Sequence, residues 1–223
     1  MRKYMYLTFC EVLRIVKWSE IKCEGLHRGI DENLRAVLGY LLTTLGIDLE
    51  NIPRILFEKH EQYKLIPRNG INVKWELRKV YLSDIVGTSY QGYGGKSVLE
   101  SFLVLKRAPL YIKQNCVTRG KYHHMMKRVM SIPIRLTELP CGGKYVVTHN
   151  GNHRVILYKL MMLAEIAQNY EWSCSDTYDL SYFGFCDIRK KYWMMAEVEV
   201  AGANEVILCD AENDEVSSLL RQE

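Results

Sequence analysis

Tyr145-Val146-Val147-Thr148-His149-Asn150-Gly151-Asn152-His153-Arg154-Val155 reads as a short strand, a polar turn and the opening of a helix. Tyr145 to Val147 is aromatic and β-branched, which suits a pleated, buried surface. Asn150-Gly151 adopts positive φ at little cost, so the chain can reverse there. From Val155 onward the apolar residues fall at helical spacing: Val155, Leu157, Tyr158, Leu160, Met161, Leu163, Ile166 and Ala167. Asn152 is the expected N-cap, with His153 and Arg154 in the first turn. Cations there oppose the helix dipole, which favours acids at this end. Cations placed where free N–H groups already point indicate a waiting anion, and phosphate is the usual one.

The chain around this stretch has 223 residues, is 48% hydrophobic and carries a formal charge of +4. That is enough apolar material for a full core, and the mild positive charge does not by itself imply nucleic acid. Seven cysteines form no CxxC pair and the start shows no signal-peptide pattern. Reduced thiols in a cytoplasmic protein are expected. The helix from Val155 to Ala167 is interrupted by Lys159 and Glu165 and is too short and charged to span a bilayer. No metal site is expected, since His123-His124 and Cys116 lack zinc spacing.

Upstream, helices are expected over Glu11–Trp18, from Asp31 to about Leu45 with Gly46 as its C′ residue, and around Asn51–His60. Val73 to Ile85 alternates and reads as strand, as do Ser131 to Leu136, with Pro133 near its start, and Tyr192 to Val200. Lys96 to Lys106 reads as a helix.

Two segments between these elements carry further chemistry. Gly87 to Ser97 is glycine-rich and ends in Gly95-Lys96-Ser97, but Tyr90 stands where a Walker A motif needs its first glycine. The segment is expected to be either a flexible surface loop or a mobile lid, the lid having the amides of Gly94 and Gly95 and the Lys96 ammonium reach a ligand's phosphates and Tyr90 and Tyr93 stack on a base. From Ser101 to Thr137 there is no acid, while Lys106, Arg107, Lys113, Arg119, Lys121, Lys127, Arg128 and Arg135 are interleaved with aromatics. Such a run would serve a phosphate-rich partner, nucleotide or nucleic acid, or form a solvated basic face answered by acids elsewhere such as the acidic tail.

The 145–155 stretch resembles the signature of the ParB/sulfiredoxin superfamily, a strand followed by Gly-x-His/Arg-Arg and a helix. Sulfiredoxins carry Gly-Cys-His-Arg where this chain has Gly151-Asn152-His153-Arg154, and ParB proteins carry Gly-Glu-Arg-Arg. In that family the loop and helix start hold nucleotide phosphates: CTP in ParB, ATP in sulfiredoxin, ADP in a free-serine kinase. The run Lys79–Ile85 resembles the family's first core strand, and 131–148 its motif hairpin. The resemblance covers about Val73 to Val200 and is specific from Ile132 to Leu160. It implies an α+β, mixed α/β fold: a compact ParB/sulfiredoxin-like core over residues 73–200, an N-terminal helical extension over 1–72 and an acidic C-terminal segment over 201–223.

The site residues follow from the stretch and the resemblance together. Arg154 forks onto phosphate oxygens and stays charged at physiological pH. His153 donates to phosphate or acts as acid or base. Gly151 allows close backbone approach, and Asn152 offers its amide. His149 and Asn150 complete the cradle, with Lys96, Gly94 and Gly95 from the glycine-rich segment. Asn152 replaces sulfiredoxin's reactive Cys, so sulfinic acid reduction is not expected. It also replaces ParB's Glu, so hydrolysis needs a carboxylate from elsewhere, with Asp84 as the candidate. The expected function is binding of ATP, ADP or CTP, with Mg2+, by a nucleoside triphosphatase or a small-molecule phosphotransferase. The alternative is a DNA- or RNA-binding protein or nuclease using the basic 106–135 segment.

Overall fold

A computed structural model describes residues 6–7, 45–103, 105, 133–169, 188–199 and 204–209. Expected helices over Glu11–Trp18 and from Asp31 lie outside the described residues, as do most of the basic run and the end of the acidic segment. The described part is α+β. Its strands are β1 (Tyr6–Leu7), β2 (Ile52–Pro53), β3 (Lys59–Pro67), β4 (Trp75–Tyr81), β5 (Ile85–Thr88), β6 (Lys96–Ser97), β7 (Ile134–Glu138), β8 (Tyr145–Val147), β9 (Trp193–Glu199) and β10 (Asn204–Leu208). Its two main helices are α1 (Val98–Leu103) and α2 (Asn152–Asn169). No described helix is long and apolar enough to cross a membrane.

One mixed sheet runs in the order β10-β3-β5-β8-β7-β9-β4, with β6 also paired to β3. The β7–β8 hairpin is antiparallel as expected, with Leu136 opposite Val147 and Glu138 opposite Tyr145. β5 lies parallel to β8, and β3 parallel to β5. The alternating run from Val73 divides: a 3-10 turn at Leu82–Asp84 separates β4, at one sheet edge, from β5, at its middle.

Two helix expectations are corrected. The helix around Asn51–His60 is only a 3-10 turn, Arg54–Phe57, after which the chain extends into β3. β3 is therefore part of the sheet although it lies in the expected helical extension. It pairs in turn with β6, β5 and β10 along its length. β10, within the expected acidic segment, is likewise a sheet strand. The expected helix from Lys96 begins instead at Val98, because Lys96–Ser97 pairs with β3. Ser97 and Glu100 form a reciprocal capping box there: the Glu100 N–H donates to Ser97 Oγ at 3.2 Å and the Ser97 N–H to Glu100 Oε2 at 2.8 Å.

The core lies between one sheet face and α2. Ile134, Leu136, Val147, Met194, Ala196 and Val198 are buried on the sheet, and every residue of α2 from Val155 to Ala164 is buried. Fully burying one such aliphatic side chain stabilises by about 1.5–3 kcal/mol, so this layer dominates the fold's energetics. α1 and the 3-10 turn at Arg54–Phe57, with Ile55, Leu56, Leu99 and Phe102 fully buried, pack on α2, and α1 also meets β6 and β3. Covered on several sides, α2 buries even Lys159, whose ammonium pairs with Glu58 at 3.2 Å.

Candidate functional site at the turn into the central helix

β5 and β8 end at the same edge of the sheet because they are parallel neighbours. The glycine-rich segment leaves β5 there and the 148–151 turn leaves β8. The two are stitched together: the Ser89 N–H donates to the Val147 carbonyl at 2.9 Å and Ser89 Oγ to the Thr148 carbonyl at 3.1 Å. Helix N-termini beyond the carboxyl ends of parallel strands are where mixed sheets commonly hold ligands.

The turn is fixed by β7. The Thr148 N–H donates to the Arg135 carbonyl at 3.2 Å, and the Arg135 N–H donates to Asn150 Oδ1 at the same distance. Gly151 has φ 107, and a Cβ there would collide with Ile134 Cγ2. Glycine is thus required twice, by backbone conformation and by packing. The Val155 N–H donates to the Gly151 carbonyl at 2.9 Å, the first bond of α2. Gly151 therefore occupies the N-cap position, not Asn152, which becomes the first helical residue. The carboxamide oxygen of Asn152 is buried and accepts no hydrogen bond.

His153 and Arg154 stand half-buried in the first turn, which contains no acid. His153 Nε2 and the Tyr93 hydroxyl are 2.6 Å apart, with the rings edge to face at 5.5 Å. One Arg154 NH2 group donates to the Pro133 carbonyl at 3.4 Å. Tyr93 itself is buried, so it props the imidazole and offers no free face for stacking. Nothing local in the sequence encodes this contact, which joins residues sixty positions apart.

Other expected members lie elsewhere or are already engaged. His149 is exposed and packs edge to face on Trp75 of β4 at 6.0 Å, beside the Arg135 guanidinium, which lies over the same indole. The Gly94 N–H donates to the Tyr90 carbonyl and the Gly95 N–H to the His60 carbonyl, so both amides are used within the fold. Lys96 sits on β6 opposite His60. Asp84 precedes β5, at the end of the strand away from the turn, and pairs with Lys144 at 3.1 Å, so it does not supply the site's carboxylate. Of the basic run from Lys106 to Arg135, only Arg135 is described, and it is ion-paired with Glu197 at 2.9 Å. Among the described residues no group of three or more His, Cys, Asp or Glu could hold a metal ion.

His153 stands against Tyr93 and, through it, near Tyr90, while Asn152 and Arg154 share its helical turn and Arg154 reaches toward Pro133. They offer a helix N-terminus, a guanidinium and a propped imidazole, which together suit an anion. Comparison of the chain with protein-family models, curated proteins and solved structures gave no match, so the ParB/sulfiredoxin resemblance rests on the residues of the motif themselves.

Proposed function

We propose that this protein binds a nucleotide through its phosphates at the Asn150–Arg154 turn. The observation that carries the reading is the first turn of α2, which holds His153 and Arg154, no acid, and a glycine at its cap, all at the carboxyl edge of the β5–β8 pair. An 18-residue helix points its first amides and the positive end of its dipole there. Arg154 contributes a permanent charge, and His153 a second donor. The motif's resemblance to ParB and sulfiredoxin agrees with this reading.

With Asp84 at the far end of its strand, the reading is one of binding, not of a hydrolytic centre. The test is calorimetric titration with ATP, ADP and CTP, with and without Mg2+, beside a DNA mobility-shift assay at two salt concentrations. Losing a charge-assisted contact costs roughly 1.5–3 kcal/mol, so Arg154→Ala is expected to weaken nucleotide binding by about 10- to 100-fold. Salt-steep DNA binding indifferent to Arg154, with no nucleotide bound, would replace this reading by a nucleic-acid one.

A further inference from the structure

We infer that Tyr90 is the platform on which the ligand's base stacks, which makes it the residue that separates a nucleotide from free polyphosphate. The inference rests on the phosphate site just proposed and adds the part of the ligand that lies away from it. Tyr90 is 51% exposed, yet it is not a loose surface side chain. Its N–H donates to Thr88 Oγ1 at 3.0 Å, and its carbonyl accepts the N–H groups of Tyr93 and Gly94, each at 3.1 Å. Its ring leans on Tyr93 at 5.2 Å with the planes tilted by 41°. Gly92 lies under the ring edge, where a Cβ would come within 2.6 Å of the aromatic carbon Cε1. The ring is held from the loop side, and the residue stays about half exposed.

Two ring-to-ring steps, 5.2 Å to Tyr93 and 5.5 Å on to His153, connect that surface to the first turn of α2. A ribose and its phosphates span a gap of this kind. A preorganised aromatic face loses little entropy when it receives a ring, and stacking tolerates any base because every base has a π-face. Tyr93 acts from the inside. Buried and bonded to His153, it couples the platform to the phosphate end.

The experiment is titration of the full chain and of Tyr90→Ala, Tyr90→Phe and Arg154→Ala with ATP, CTP and inorganic tripolyphosphate. Wild type is expected to bind either nucleotide roughly tenfold more tightly than tripolyphosphate. Tyr90→Ala removes that margin and leaves tripolyphosphate affinity unchanged, while Tyr90→Phe keeps the margin. A margin that survives in Tyr90→Ala, or one absent from wild type, overturns the platform and leaves the phosphate site standing. Tripolyphosphate binding indifferent to Arg154→Ala overturns the phosphate site instead. No binding of any of the three probes overturns both.

Discussion

At position 151 backbone and packing make the same demand. The residue sits at φ 107 and would drive a Cβ into Ile134, a fully buried strand residue that has little room to give. Gly151→Ala therefore adds backbone strain to overpacking and is expected to destabilise by about 2–4 kcal/mol in urea denaturation. A loss below about 1 kcal/mol would mean that β7 yields easily and that the turn is not rigid. Asn150-Gly151 announces this turn in the sequence, and it is the glycine alone that takes the positive φ. What the sequence does not announce is where each neighbour points. His149 and His153 belong to one short polar stretch, yet one lies on Trp75 and the other on Tyr93. Those partners come from β4 and from the loop after β5, so only the sheet order decides between the two directions.

α2 is legible as an element, since its apolar spacing persists for three turns. Lys159 and Glu165 read as breaks in an otherwise apolar face, but of the two only Glu165 is partly exposed, bonded to Lys191 and Tyr192. Lys159 is buried where α2 meets Glu58 and His60 at the start of β3, a packing event that helical periodicity cannot report. α1 itself is written locally as Ser97-Val98-Leu99-Glu100, a capping box. β3 is not legible: four of its nine residues are exposed, its alternation is weak, and its three partners are distant in sequence. The Glu58–Lys159 pair yields a prediction at this scale. Glu58→Gln strands a buried ammonium and is expected to cost about 2–4 kcal/mol, the partial exposure of Glu58 keeping it below a fully buried case. Lys159→Met fills the same space without charge and is expected to stay within about 1 kcal/mol of wild type. Chemical denaturation of both variants separates the two, and equal losses would show that the ion pair adds net stability.

The whole molecule is joined by the cluster beneath the glycine-rich segment, where β3, β6, the 3-10 turn and α2 meet. His60 lies there fully buried, with neither ring nitrogen hydrogen-bonded and with its carbonyl holding Gly95. Burial, reinforced by the nearby Lys159 ammonium, pushes its imidazole from the usual 6.5 down to about 3. The consequence for stability has a definite sign. In the unfolded chain His60 takes up a proton as pH falls through about 6.5, whereas in the folded protein it stays neutral until about 3. The unfolded state thus binds more protons throughout that window, and acidification shifts the balance toward unfolding. Each pH unit inside the window removes about 1.4 kcal/mol on this account, and the loss levels off near pH 3. Other groups titrate in the same range, so the measurement is a difference: denaturation free energy of wild type against His60→Leu from about pH 7.5 to 3.5. The two curves should run parallel above about pH 7 and diverge below it, wild type falling faster. Parallel curves throughout would show that the imidazole finds water or a proton acceptor when it is charged, and that the joint under the loop opens more readily than its packing implies.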